Sequence, residues 1–201
     1  MKNETINTLI LSILAGLMIG FGGTIYLSCD NKIIGSFLFS FGLATIICQG
    51  FSLYTGRVGY YPTFNIKNLL ITIIGNFLGT YVIAKGIGLT RLDLTHKIQS
   101  LVEVKLIDSP LSFFILSIGC GAMMFLAVDN YKQSKAWFFV IMPIMIFILS
   151  GFEHSIANMF YFSLANVWSL NTIILTIIAI LGNAIGAFLV NKTNMLISNK
   201  K

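Results

Sequence analysis

From Ala136 to Trp168 the chain is almost uniformly apolar, and near the middle of that run the segment Gly151–Met159, GFEHSIANM, sets Glu153 and His154 side by side. A spanning helix needs about 20 residues to cross a hydrocarbon core of about 30 Å. The run is longer than that, so it has to tilt steeply or break. A charged side chain at mid-bilayer costs about 2.5–3.5 kcal/mol on insertion scales, and such residues therefore face a bundle interior or a watery cavity. A break, a carboxylate and an imidazole at one depth in a membrane mark a functional site.

The rest of the chain supports a membrane setting. Hydrophobic residues make up 56% and charged residues 10%, and a mean hydropathy of +0.87 leaves too little polar surface for a soluble globule. Further apolar segments run over Leu9–Leu27, Ile33–Tyr54, Leu69–Ile87, Leu111–Val128 and Ile173–Val190. With Ala136–Trp168 they predict an all-α integral membrane protein of six spans, one transmembrane domain over residues 1–201. The first segment follows a short polar stretch and has no small-x-small cleavage site before Tyr26 and Leu27, so it is expected as a retained first helix. An even number of spans puts both termini on one side. Lys2, Lys67, Lys132, Lys135, Lys192, Lys200 and Lys201 then lie in the cytoplasm, against Lys32, Lys85, Arg91, Lys97 and Lys105 outside. This modest positive-inside bias predicts a multi-pass protein of the inner (plasma) membrane with cytoplasmic termini.

The net charge of +6 sits on these loops without a basic block and interleaved aromatics, so no nucleic-acid partner is expected. It suits anionic headgroups or a small anion. Cys29, Cys48 and Cys120 are scattered without CxxC spacing, which predicts buried free thiols with neither metal ligation nor a disulfide framework, and no cofactor is expected.

The two halves match. Gly75-Asn76-Phe77-Leu78-Gly79 in the third span pairs with Gly182-Asn183-Ala184-Ile185-Gly186 in the sixth, and Gly50-Phe51-Ser52-Leu53-Tyr54-Thr55-Gly56 ends the second where Gly151–Ala157 interrupts the fifth. Gly16–Ile19 likewise pairs with Gly121–Met124. Three spans per copy is odd, so the second copy enters the membrane from the opposite side. Two inverted three-helix repeats follow, over about 8–88 and 109–192, with breaks in helices 2 and 5 and a site near the midplane where they meet.

These residues resemble the formate/nitrite transporter family, which also includes hydrosulfide channels. The resemblance rests on GFEHSIANM preceded by Lys135 and Pro143, on the Gly-x-x-Leu-Tyr-Thr-Gly break at Gly50–Gly56, and on the paired Gly-Asn-x-x-Gly signatures, and it runs from about Ala15 to Lys192. It implies a homopentamer of aquaporin-like protomers, each with its own pore for a small monovalent anion or its conjugate acid. It implies further that His154 is the central pore histidine and that Phe39, Leu43 and Leu53 form one apolar constriction with Phe147 at the other. Thr55 would lie on the loop breaking the second span, and Lys105 where the family keeps a vestibule lysine. The chain departs from the family pattern at Ser52, usually acidic, at Arg57, often small and polar, and at Gly121, where a pore asparagine is common. The N-terminal cytoplasmic helix of the family is not expected, because the first span begins within the first ten residues. Between Gly56 and Asn68 there is little room for the half-helix that follows the first break, and Pro62 discourages one. The segment after Met159 reads as equally short.

The chemistry of the residue types agrees with a weak-acid pore. A bare anion in an apolar constriction loses several kcal/mol of hydration, and a neutral acid far less. Imidazole changes charge near neutral pH and can donate and accept at once, which suits proton-linked neutralisation at His154. Free N–H groups at a half-helix start can hold an anion, and Thr55, Ser155 and Asn158 are capping types beside the breaks. Gly50, Gly56 and Gly151 permit the breaks. Glu153 is expected to point away from the pore and accept backbone N–H bonds that hold the broken segment. Arg57 either snorkels to headgroups or lines the inner mouth, and His96 is a surface residue. An alternative reading is a membrane-embedded substrate-binding subunit of a multi-component transporter. An enzyme is not expected, since Glu153 and His154 lack convergent nucleophiles or ligands.

Overall fold

The computed structural model describes residues 2–198, with side chains from 3 to 196, so Lys200 and Lys201 lie outside the described residues. The described chain is helical, without a strand. In order come α1 (Lys2–Ser28), α2 (Lys32–Gln49), α3 (Tyr54–Arg57) with a 3-10 turn at Val58–Tyr60, α4 (Ile66–Gly88), α5 (Thr95–Ile107), α6 (Pro110–Ser134), α7 (Phe138–Leu149), α8 (Ser155–Ala165) and α9 (Leu170–Ser198). Five of them, α1, α2, α4, α6 and α9, are long and apolar enough to cross a membrane.

The helix starts are set by local chemistry. The side chain of Asn31 accepts from the N–H groups of Ile33 and Ile34 to begin α2, Asn65 does the same for α4 through Asn68, and Ser109 with Pro110 at the first position begins α6. Interiors are apolar enough that packing, not propensity, then decides their arrangement.

Two helix pairs pack more extensively than any other, α1 on α4 and α6 on α9. Each pair runs parallel. Gly75 meets Leu9 and Ser12 while Gly20 meets Ile83; in the other pair Gly182 meets Ser117 and Gly186 meets Ile118 and Ala122. A Cβ on Gly16 would collide with the carbonyl of Asn76, and one on Gly121 with that of Asn183. Small residues thus bring backbones together where lipid supplies no hydrophobic drive between helices. The end of α1 and the start of α6 approach one face, where Tyr26, Leu27 and Lys105 line one cavity. The approach to α4 and the end of α6 meet at the other face, where Phe64 and Lys132 line a second.

Three local expectations need correction. The stretch between the third and fourth apolar segments, left without a helix and with His96 as a surface residue, contains α5, whose Ile98 and Val102 are buried where it packs on α8. By contrast, the little room expected between Gly56 and Asn68 is what is found: only the single turn of α3 and the 3-10 turn before Pro62 stand between Gly50 and α4. The helix that runs through Met159 begins already at Ser155 and continues for 11 residues, so it is not short. Of the thiols only Cys120 is buried; Cys48 is exposed and Cys29 partly so.

Candidate functional site

Gly50 and Gly151 both have left-handed backbone, φ 67° and 70°, which ends α2 and reverses the chain after α7. The N–H of Phe51 donates to Ile46 and that of Phe152 to Phe147, so the chain folds back along the helix it has just left. It re-enters the interior at Ser52–Leu53 and at Glu153–His154.

Each re-entrant segment is pinned by a buried asparagine. Asn76 accepts from the N–H of Tyr54 at 2.9 Å and donates to the carbonyls of Ser12 and Ser52, both at 2.8 Å. Asn183 accepts from the N–H of Ser155 at 2.9 Å and donates to Ser117 at 2.8 Å and to Glu153 at 2.9 Å. One side chain thereby satisfies a buried N–H and a buried carbonyl of the re-entrant segment that no helix ladder can reach, and ties both to a carbonyl of the neighbouring long helix. The sequence marked both asparagines as repeat signatures; their role as pins needed the fold.

The pinned segments bring six singled-out residues together. His154 is 2% exposed, Phe39, Leu43, Leu53, Thr55 and Phe147 are also buried, and the four apolar ones belong to one packed cluster. Phe147 lies edge-on to Phe39 with centroids 6.1 Å apart and stacks on the His154 ring at 5.6 Å. His154 Nε2 is 3.0 Å from Thr55 Oγ1. At the same time His154 Nδ1 accepts from the N–H of Ala157 at 3.0 Å, capping α8. A nitrogen that accepts carries no hydrogen, so the neutral ring holds its proton on Nε2 and donates it to Thr55. The Thr55 hydroxyl hydrogen remains free for another acceptor. A second proton on the ring would have to displace Ala157, a constraint that residue types alone did not reveal.

On one side of this cluster opens a cavity of about 600 Å³ lined by Lys105, Phe147, Gly151, Glu153, His154 and Asn158 among others. Lys105 Nζ lies 2.6 Å from Glu153 Oε2, with the side chains 13% and 6% exposed. The same oxygen accepts from Asn158 Nδ2 at 2.8 Å. The Glu153 carboxylate therefore does not hold backbone N–H groups; its side chain turns toward a lysine 48 positions away and an amide on α8, because an ion so buried requires charged and hydrogen-bonding partners. Asn158 Oδ1 keeps no partner. At the rim Lys97 bridges to Asp30 at 2.7 Å, and this hydrogen-bonded ammonium holds the Asp30 carboxyl below its ordinary value. His96 is exposed on the same rim.

On the other side a cavity of about 320 Å³ is lined by Leu43, Gly50, Leu53, Gly56, Arg57 and Lys132 among others. Arg57 thus faces a cavity, not simply the lipid boundary. Gly121 lies in the α6–α9 seam against Asn183, a place with no room for the asparagine its alignment suggested.

With this geometry in hand, comparison with known proteins is informative. The family model for "Formate/nitrite transporter" matches residues 1–196. The chain belongs to the formate/nitrite transporter family. Among relatives, the formate channel FocA of Haemophilus influenzae is 31% identical over 149 residues, which is 65% of this chain and 52% of that protein. FocA of Escherichia coli K12 is 27% identical over 187 residues, 77% of this chain and 65% of its own length. The chain thus spans between half and two thirds of these curated relatives. Among solved structures, a pentameric formate channel with formate bound superposes with a TM-score of 0.85 at 22% identity, covering 100% of this chain and 99% of that one. An FNT family ion channel superposes at 0.84 with 20% identity, covering 98% and 92%. The fold is that of these channels, and the protein is a multi-pass membrane protein.

Proposed function

We propose that this protein is a homopentameric channel of the inner membrane in which each protomer passes small monovalent weak-acid anions, such as formate, nitrite or hydrosulfide. The observation that carries the proposal is the His154–Thr55 pair set between apolar side chains and flanked by cavities on both sides. The fold is taken as two inverted repeats, about 8–88 and 109–192, forming one domain. The matching roles of Asn76 and Asn183, and the parallel pairs α1–α4 and α6–α9 directed oppositely, support that symmetry. The sixth crossing is then the composite of α7 and α8, and both termini lie on the cytoplasmic Arg57 side.

In this reading Phe39, Leu43, Leu53 and Phe147 exclude water from the constriction. An ion crossing them loses its hydration, whereas its conjugate acid crosses with a small loss that two hydrogen bonds can offset. Neutral His154 donates from Nε2 to Thr55, and the Thr55 hydroxyl donates onward to the permeant species. Because Nδ1 already caps α8, the proton that neutralises the anion comes from water in the Lys105 vestibule and not from an imidazolium. Asn158 Oδ1, buried and unpartnered, supplies an acceptor there for the newly formed acid.

Purified protein in proteoliposomes tests the proposal with a panel of formate, nitrite, hydrosulfide, acetate and sulfate. The monovalent weak acids should enter well above empty vesicles, and sulfate, which one proton cannot neutralise, should not. Equal passage of sulfate and formate would overturn neutralisation, and no flux of any of them would overturn the channel.

A further inference from the structure

We propose that the Arg57 vestibule is a binding site for a polyvalent oxyanion of the phosphate class, and that its occupancy closes the pore from that side. The site is a cavity of about 320 Å³ whose deep end is the apolar pair Leu43 and Leu53. Arg57, Lys132 and Lys135 line it from three separate places: the end of α3, the last turn of α6 and the residue just beyond it. No carboxylate lines it.

The three cations are held without a direct ion pair. Arg57 lies 4.8 Å from the Phe64 ring centroid, Lys132 3.7 Å from that of Tyr60, and Lys135 5.7 Å from that of Tyr131. Aromatic faces orient a cation and leave its charge available. The neighbouring carboxylate, Asp129, takes hydrogen bonds from the Tyr60 hydroxyl and from Gln133; it offsets part of the cluster's positive charge but forms no ion pair with any of the three. Among the described residues the ion pairs within 4.0 Å are Lys97–Asp30 and Lys105–Glu153, both on the opposite side. The two mouths therefore differ: the cations of one are paired, and those of the other are not.

Helix-end electrostatics accounts for part of this arrangement only. The C-terminus of α6 favours Lys132 and Lys135, but a four-residue helix has little dipole to offer Arg57. Lys135 moreover stands at φ 59°, a conformation in which a side chain is unfavourable and glycine is preferred. A guanidinium fork between two ammonium groups is the donor set that binds phosphate-like oxygens. Coulombic attraction scales with the product of charges, so three cations favour a divalent over a monovalent anion. A divalent anion stays charged after one protonation and cannot follow a weak acid past Leu43 and Leu53. It stays and obstructs.

The obstruction rests on the channel reading above; the binding does not, and the two are measured separately. Inorganic phosphate is titrated calorimetrically into the full chain in detergent at pH 8 and low ionic strength, with formate as the second ligand. Binding of one phosphate per protomer, at least tenfold tighter than formate and weakened at least tenfold in Arg57→Gln and in Lys132→Gln/Lys135→Gln, is the expected result. Equal affinity for formate would make the cavity a waiting place for the permeant ion and overturn the polyvalent site. Unchanged phosphate affinity in both variants, with thermal melting like that of the wild type, would overturn it as well. Formate flux into vesicles is then compared with and without phosphate, as a ratio within each variant so that changes in conductance divide out. The ratio should fall for the wild type and stay near one for Arg57→Gln. Phosphate binding without any formate flux would uphold the site and sink the channel. Formate flux that phosphate leaves unaltered at saturating occupancy would sink the obstruction.

Discussion

Lys105 and Glu153 form a buried ion pair, and losing one half should do more harm than losing both. Removing one partner of such a pair leaves an uncompensated charge and costs about 3–5 kcal/mol, whereas replacing both by neutral groups of similar size is close to neutral. Lys105→Ala is therefore expected to lower the melting temperature in detergent, and Lys105→Met/Glu153→Gln to recover most of the loss. A double variant as unstable as the single one would show that the pair is not the source. The contact also changes the meaning of Lys105. The family resemblance makes it a vestibule lysine, whose attraction for anions would extend over a Debye length if it were unpaired; paired at 2.6 Å its long-range field is largely cancelled. That pairing was invisible in the sequence because the two residues lie 48 positions apart on elements, α5 and the segment before α8, whose docking depends on the tertiary fold. His154 was legible as a buried polar outlier in an apolar run, but its tautomer was not, since that depends on the N–H of Ala157 pointing at Nδ1.

At the scale of the elements, the two asparagine pins hold the re-entrant segments against α4 and α9. Asn183→Ala would strand the N–H of Ser155 and the carbonyl of Glu153, at about 1–3 kcal/mol for each buried group left without a partner, and would remove the bond that ties them to the Ser117 carbonyl of α6. Much less folded protein should survive extraction, and Asn76→Ala should behave likewise. If both variants extract and melt like the wild type, the pins are ornamental. The long helices were readable because apolar length is a strong signal; their exact starts at Asn31, Asn65 and Ser109 emerged only with the structure. The first span was placed at Leu9, yet α1 begins at Lys2, since a helix continues through polar residues until something stops it. α5 was missed because only Ile98 and Val102 among its residues are fully buried, too few to stand out in a polar stretch. The short stretch after Gly50 was legible because Pro62 and the few residues before Asn68 leave space for a single turn and a 3-10 turn and no more.

For the whole molecule, Phe41, Leu111 and Leu170 are each more than two thirds exposed on a single chain, a surface that only lipid or further copies can cover. Native mass measurement in mild detergent should give five copies of the chain; monomers alone would contradict the pentamer. The central claim is that a weak acid crosses in neutral form at a histidine that donates a hydrogen bond and does not itself titrate. The direct test is formate uptake between pH 5 and 8, corrected for empty vesicles, at equal reconstitution of wild type, His154→Asn and His154→Phe. The wild-type rate should rise as pH falls, following the fraction of conjugate acid. His154→Asn keeps a donor and should keep that slope. His154→Phe loses a hydrogen bond of about 1.5 kcal/mol and should run about tenfold slower at every pH. A flat profile for His154→Asn would show that the imidazole is itself the titrating group, and His154→Phe conducting as fast as the wild type would remove His154 from the pathway altogether.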